Sequence, residues 1–442
     1  MSKIIARSAA SSSKAGIDIT AEYTQVKQLV DGGQPVVFVT GKAGTGKSTL
    51  IRYLRDVVRG NCVVLAPTGV AAMNIGGATI HSFFRFPPRR LTDDDVKAVR
   101  YKTPYKKLDV LIIDEVSMVR ADVLDAIDRF LRRNGPRKKL PFGGVQVVLV
   151  GDLHQLPPVV SSGEGAEHFE AAYESPFFFS SRVMAAADVA SVELARVFRQ
   201  RDDAFIDILN GIRLGAPPPE LLERINARVT PAVDPDRETV LSTTNRIADR
   251  INKQRLAAVP GLARVYAGTT SGSFRMANDR LPSPAELLLK EGARVMFTKN
   301  DSEGRWVNGS LGVVEKLAKK NVLVQLDAGG ETVEVARAMW ETYRYEFDAE
   351  EQAHVPVVSG AFQQLPLTPA WAITIHKSQG KTLSAARIDL GHSVFAPGQV
   401  YVALSRCRRL EDVSLSRAIT PHDVFCDGRV STFYEGMFGH AT

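Results

Sequence analysis

The 442-residue chain is 44% hydrophobic and carries 56 Lys and Arg against 49 Asp and Glu, a net charge of +7 with a pI near 9.2. At about 150 residues per domain this length predicts roughly three domains, and the basic balance favours an anionic partner without naming it. No stretch approaches the roughly 20 apolar residues of a membrane helix. The scattered Cys62, Cys407 and Cys426 have neither a C-x-x-C pair nor metal-ligand spacing, which argues against a disulfide framework and a zinc site.

Residues 1–16 carry Lys3, Arg7 and Lys14 with no acid, and read as a flexible tail rather than a transit peptide. Residues 18–31 read as a short helix with Val26, Leu29 and Val30 on one face and Gln25 on another. The apolar run Val36-Val37-Phe38-Val39 then leads into Gly41-Lys42-Ala43-Gly44-Thr45-Gly46-Lys47-Ser48 and the helical pattern from Thr49 through Leu50, Ile51 and Leu54. Strand, glycine-rich loop and helix start in that order form a phosphate-binding P-loop. Its glycines let successive N–H groups face phosphate oxygens, and the helix N-terminus adds a positive dipole end. Lys47 would reach the β- and γ-phosphates and Ser48 would ligate Mg²⁺, which makes ATP and Mg²⁺ the expected cofactors.

Further short apolar strands, Cys62–Ala66, Val110–Ile113 and Val147–Val150, alternate with helical patterns, as in a parallel sheet buried on both faces. After Asp114-Glu115 the residues Val119, Val123, Ile127, Phe130 and Leu131 keep helical spacing. A first α/β domain is placed at 17–190. Ser191–Leu194 and Thr239–Ser242, separated by the Pro217-Pro218-Pro219 loop, read as strands of a second α/β domain over 191–297 and 366–442. Between 298 and 365 glycine-punctuated segments such as Gly312–Glu315 and Asn321–Val324 predict a small inserted β-barrel.

Two strand ends carry chemistry. Leu111-Ile112-Ile113-Asp114-Glu115 presents an acid suited to Mg²⁺, followed by a second acid able to take a proton from an attacking water. Val147 to Asp152 is followed by Gln155, within reach of a γ-phosphate or that water; His154 alone reads as structural.

Nine blocks in one order carry a resemblance. They are Gly41–Ser48, Ala66–Ala72, Thr79–Phe83, Asp114–Met118, Pro141–Gly144, Gly151–Val159, Val197–Gln200, Thr374–Gly380 and Val402–Arg406. Together they resemble the helicase motifs of the Pif (petite integration frequency) family, RecD-like DNA helicases of superfamily 1. The resemblance implies an α/β protein of two RecA-like P-loop domains with ATP between them, an SH3-like insertion in the second and a short wedge element, 84–105, in the first. It implies that Lys47, Glu115, Gln155, Arg199 and Arg406 are catalytic, the arginines being fingers on the γ-phosphate. Nucleotide contacts would come from Gln25, Gly41, Ala43, Gly44, Thr45, Gly46, Lys47, Ser48, Thr49, Gln379 and Gly380, and metal contacts from Ser48 and Asp114. Single-stranded DNA would meet Thr68, Gly69, His81, Ser82 and Phe83 on one domain and Thr244, Asn245, Asn308, His376 and Lys377 on the other. Forked or tailed duplexes are the implied substrates. A monomer acting in the bacterial nucleoid, or in a nucleus or mitochondrion, is expected. Phe86-Pro87-Pro88 flanked by arginines would be the tip of the wedge. A P-loop phosphotransferase for a small molecule, and an ATP-hydrolysing nucleic-acid switch that does not unwind, are the alternative readings of the residues.

Overall fold

A computed structural model describes residues 18–439 apart from 88–89, 161–168, 201, 231–237, 275, 277–280, 328, 349 and 351. The expected tail at 1–16 and residues Pro88 and Arg89 of the expected wedge lie outside the described residues.

The N-terminal half runs α1 (Ala21–Asp31), β1 (Val36–Gly41), α2 (Lys47–Val57), β2 (Cys62–Ala66), α3 (Gly69–Asn74), β3 (Ala78–Thr79), α4 (Ile80–Phe84), α5 (Thr103–Lys106), β4 (Val110–Ile113), α6 (Ala121–Asn134), β5 (Gln146–Val150), α7 (Arg182–Ala186) and β6 (Val189–Leu194). Its strands form one sheet in the order β3-β2-β4-β5-β1-β6, every pairing parallel. Successive strand residues point to opposite faces. Val36, Phe38, Leu111, Ile113, Val147 and Leu149 therefore fill a core on one side, while Val37, Val39, Ile112, Val148 and Val150 fill another on the reverse. Nearly unbroken apolar runs are what such two-sided burial requires.

The chain continues through α8 (Asp203–Arg213), α9 (Pro219–Asn226), β7 (Thr239–Ser242) and α10 (Asn245–Ala258) into antiparallel strands. These are β8 (Arg264–Ala267), β9 (Thr269–Gly272), β10 (Glu286–Leu289), β11 (Arg294–Phe297), β12 (Leu311–Leu317), β13 (Val322–Leu326), β14 (Thr332–Val335), β15 (Ala338–Asp348), β16 (Ala353–Gln364) and β17 (Leu367–Pro369). It closes with β18 (Ala372–Thr374), α11 (Ile375–Ser378), β19 (Ala386–Asp389), α12 (Gln399–Leu404), β20 (Val413–Leu415) and α13 (Gly428–Phe438). Strands β18-β7-β19-β20 make a second parallel sheet. Strands β14-β13-β12-β11-β17 make a five-stranded antiparallel sheet, and β15-β16-β9 a three-stranded one.

Four sequence expectations change. Ser191–Leu194 belongs to β6, which pairs with β1 from Val36↔Val189 to Gly41↔Leu194, so it is the edge of the first sheet and not a strand of the second. The antiparallel region starts at Arg264 and ends at Pro369, wider than 298–365, because β8, β10, β11 and β17 frame the insertion. Helix α13 leaves the second sheet and packs Val430 and Tyr434 into the first core beside Phe38 and Phe178. The phenylalanines expected at the wedge tip are not exposed. Phe84 and Phe86 stack 5.4 Å apart, both edge-on to Phe130 of α6, and only 1% and 5% of their surfaces remain accessible.

Among the described residues no helix is long and apolar enough to cross a membrane.

Candidate nucleotide cleft and strand-binding edge

The P-loop joins β1 to α2 at the C-terminal edge of the first sheet. Gly44 and Gly46 take φ of 86° and 87°. A Cβ on Gly44 would sit 2.5 Å from the Arg199 Cβ, and one on Gly46 2.5 Å from the Tyr23 hydroxyl, so both close approach and backbone conformation require glycine. Lys47 folds back on the loop, its Nζ donating to the carbonyls of Gly41 at 2.7 Å and Lys42 at 3.0 Å. Ser48 is exposed at the start of α2.

A cavity of about 790 Å³ opens over this loop. Ala43, Gly44, Thr45, Gly46, Lys47, Ser48 and Thr49 line one wall. Glu115 and Gln155 come from the strand ends, and Arg199, Gly380 and Arg406 close the far side. Asp114 directly follows β4, is 7% exposed, and accepts the Glu115 N–H on Oδ1 at 2.8 Å. Glu115 adopts φ 49°, ψ 45°, a left-handed conformation that a non-glycine residue holds only when its surroundings impose it. Burial raises the Glu115 pKa against the opposing Lys47 and Arg406 cations, which makes it a better proton acceptor than an exposed glutamate. Gln379 Nε2 donates to Glu115 Oε2 at 3.1 Å and to Gln155 Oε1 at 3.3 Å.

The two arginines are held by carbonyls of the second half. Arg199 Nη1 donates to the Ser405 carbonyl at 3.3 Å. Arg406 is 1% exposed and donates to the carbonyls of Val402 and Ser378 and to the Ser405 hydroxyl. Burial, then the neighbouring Arg199 cation, pushes the Arg406 pKa down to about 9. The pair concentrates positive charge that an arriving phosphate would offset.

Gln25 is not brought to the cleft. It is exposed on α1, whereas Tyr23 of the same helix donates its hydroxyl to the Gly46 carbonyl at 2.7 Å. Sequence reasoning also passed over Phe198, 40% exposed at the cavity rim with the Arg196 guanidinium 4.7 Å from its ring, and Tyr401, whose oxygen accepts the Ala43 N–H at 2.8 Å. Both lie inside or beside quoted motif blocks, and that adjacency was the available signal.

The expected DNA residues fall at the C-terminal ends of parallel strands. Thr68 after β2 and Thr79 at the end of β3 cap α3 and α4, accepting from Ala71 N and Ser82 N at 3.2 and 3.1 Å. Thr244 after β7 and Thr374 at the end of β18 cap α10 and α11 in the same way. Thr79-Ile80-His81-Ser82 and Thr374-Ile375-His376-Lys377 are thus equivalent turns of two sheets, a likeness hidden by the insertion between them. Ser82, Thr244, Asn245, His376 and Lys377 are exposed, and Thr68, Gly69 and His81 half-buried. Asn308 lies apart, in the β11–β12 turn whose Gly309 abuts Thr382. Phe83 is 7% exposed, enclosed by Phe84, Tyr105, Tyr345 and His354, so in this structure it is core and not an open stacking platform.

Comparison with known proteins follows this geometry. Residues 20–220 match the model of the PIF1-like helicase family. The chain is 34% identical over 432 residues to the ATP-dependent DNA helicase Pif1 of Bdellovibrio bacteriovorus, covering 96% of this chain and 93% of that one. A Rattus norvegicus relative, also 34% identical, is longer, and the chain spans 64% of it. Bacteroides Pif1 in complex with ADP-AlF4 superposes with a TM-score of 0.87 at 35% identity, covering 96% of this chain and 99% of that one. Bacteroides Pif1 bound to ssDNA superposes at 0.68, with 36% identity over 95% and 97% of the two chains. The chain belongs to the Pif1 helicase family.

Proposed function

We propose that this protein is an ATP-dependent 5′→3′ DNA helicase that moves along single-stranded DNA and separates forked or tailed duplexes. The observation that carries the reading is the divided cleft. The P-loop, Glu115 and Gln155 stand on one parallel sheet while Arg406 and Gln379 stand on the other. Thr-capped turns flank both sheets at the same edge. The relatives' names, ATP-dependent DNA helicase, and the ADP-AlF4 and ssDNA complexes of Bacteroides Pif1 support the same assignment.

One RecA-like domain comprises 18–200 together with α13, the second comprises 202–258 with 370–424, and the insertion lies between them. The triphosphate rests on the loop N–H groups, with Lys47 leaving its carbonyls for the β- and γ-oxygens. Ser48 and Asp114 are hard oxygen donors suited to Mg²⁺, which takes few protein ligands beside phosphate and water, and which would neutralise phosphate charge there. Glu115 accepts the proton of the attacking water, and Arg199 and Arg406 stabilise charge on the transferred phosphoryl group. Because Arg406 and the P-loop sit on different sheets, hydrolysis needs the two brought together, and DNA held by both sets of turns would impose that alignment. The residues of the proposed cleft and strand track all come from one chain, which supports translocation by a single copy in whichever compartment holds the DNA.

ATP turnover measured with and without single-stranded DNA, alongside displacement from 5′- and 3′-tailed duplexes, tests the reading. DNA-stimulated turnover with unwinding only from the 5′ tail is expected. Turnover indifferent to DNA would favour a small-molecule phosphotransferase, and stimulation without displacement would favour a switch. Affinity for the strand should fall with salt at a logarithmic slope of roughly −3 to −4 for about four to six phosphate contacts.

A further inference from the structure

One buried ion pair crosses between the two halves and belongs to none of the motif roles above. Arg213, the last residue of α8, donates from Nη2 to Asp152 Oδ1 at 3.0 Å, and the two side chains are 1% and 0% exposed. Asp152 follows β5 on the first sheet, whereas α8 packs on the second core through Phe205, Ile208 and Ile212. The Arg213 guanidinium also lies 5.8 Å from the ring centroid of Tyr434, whose hydroxyl is tied to Thr40 and to Leu153 N. Arg213 is therefore held from both halves at once.

The Asp152 carboxylate spends its oxygens on the catalytic loop. Oδ1 also accepts the His154 N–H at 3.2 Å, and Oδ2 accepts Gln155 Nε2 at 3.3 Å. An ionised carboxylate only accepts hydrogen bonds, so it dictates which end of the Gln155 amide faces it. With Nε2 on Asp152, Oε1 is turned to Gln379, and Gln379 reaches Glu115 with the same amino group. A neutral carboxyl at 152 could instead donate to Oε1, reversing the amide and aiming N–H groups where an acceptor now stands. Burial alone favours that neutral form, and the Arg213 guanidinium, followed by the Lys47 ammonium, holds the Asp152 pKa down at about 2.

We propose that Arg213 is a positioning residue for ATP hydrolysis: through Asp152 it sets the amide orientation of Gln155 and, by way of Gln379, the placement of Glu115. The line Arg213–Asp152–Gln155–Gln379–Glu115 begins on the second half, crosses to the first, returns at Gln379 and ends at the base. This inference rests on Glu115 and Gln155 having the roles given above. It adds a residue outside every motif block to the hydrolytic apparatus, and it has a chemical requirement, a cation at 213.

The test compares Arg213→Met, which keeps length and apolar packing but removes the cation, with Arg213→Lys, which keeps a cation, in the full chain. Thermal midpoint, dissociation constants for a non-hydrolysable ATP analogue and for single-stranded DNA, and kcat and KM for ATP with saturating DNA are measured. For R213M we expect kcat to fall by about 10²-fold, the scale of a misplaced catalytic group, with KM and both dissociation constants within about threefold. R213K should recover most of the loss. D152N and the double variant D152N/R213M should each be no slower than R213M within about threefold, because they interrupt one line. Equal kcat losses in R213K and R213M accompanied by a lowered midpoint would make the pair merely structural and overturn the proposal, as would a folded R213M with parental kcat. A collapse of analogue binding with kcat unchanged would also overturn it. If Glu115→Gln left turnover unchanged, the underlying assignment would fail rather than the role of Arg213.

Discussion

Lys47 folds back on its own loop in the structure. Its ammonium is satisfied by the Gly41 and Lys42 carbonyls, which the proposed mechanism has it exchange for phosphate oxygens. Burial lowers its pKa while Asp152 and Glu115 act in the opposite direction. Lys47→Ala should then cost about 10³-fold or more in turnover, a loss on the scale of other phosphate-clamping cations. Affinity for single-stranded DNA, measured by anisotropy, should change only a few-fold because Lys47 and the first-half turn residues Gly69, Thr79 and Ser82 line different cavities. Glu115→Gln keeps the shape and a hydrogen bond to Gln379 but cannot take a proton. It should bind ATP tightly and hydrolyse it slowly, and a parental rate would remove Glu115 as the base.

The elements divide by whether local pattern or long-range pairing decides them. Strands β1, β2, β4 and β5 were legible because each is a short apolar run ending at a chemically loaded turn, and two-sided burial leaves few other sequences possible. The strand-loop-helix order around Gly41–Ser48 was legible too, with β1 and α2 on either side of the loop. Strand β6 was found as a strand but given to the wrong sheet, since its half-buried Val-Ala-Ser-Val-Glu-Leu pattern suits any edge. Only the parallel pairing with β1 decides it. Helix α13 likewise carries no signal that it returns to the first core, and the Arg213–Asp152 contact joins residues of two different elements with no local pattern to mark it. The segment after α4 shows the opposite failure, in which a basic, aromatic, proline-rich composition suggested a tool and the structure buried its aromatics. Phe86→Ala should accordingly destabilise the protein by about 3–5 kcal/mol, as large-to-small core changes do. Denaturant unfolding would read this as a lower midpoint with ATPase, translocation and unwinding declining together. Selective loss of unwinding at parental stability would restore the wedge. Tyr23→Phe, by contrast, removes one hydrogen bond to Gly46 and should raise KM for ATP by only a few-fold, equivalent to about 1 kcal/mol.

At the scale of the whole molecule the β15–β16 hairpin ties the insertion to the first half. It leaves the inserted sheets and lies across the first half, where the Val64 N–H donates to the Tyr345 hydroxyl at 3.3 Å and Asn61 bonds both Gln352 O and His354 N. His354 Nε2 also rests against the Pro104 carbonyl. Hairpin residues Tyr343 and Arg344 share a cavity of about 890 Å³ with Gly69, Ser82 and Phe83, three of the first-half residues expected to meet DNA. The enclosure of Phe83 depends on the same contact, for two of its four ring neighbours, Tyr345 and His354, belong to the hairpin. Lifting the hairpin would leave Phe83 backed by Phe84 and Tyr105 with its outer edge open, a rigid aromatic beside Ser82 of the kind on which a base can stack. If the hairpin lifts, the core reading and the stacking reading of Phe83 describe its two positions. If docking competes with the strand, Tyr345→Ala combined with His354→Ala should tighten single-stranded DNA binding by about five- to tenfold, the effect of removing roughly 1 kcal/mol of competing contact. Phe83→Leu should reduce that gain. A double variant that binds DNA more weakly would mean that the hairpin grips the strand from its docked position, and Phe83 would then remain core throughout the cycle.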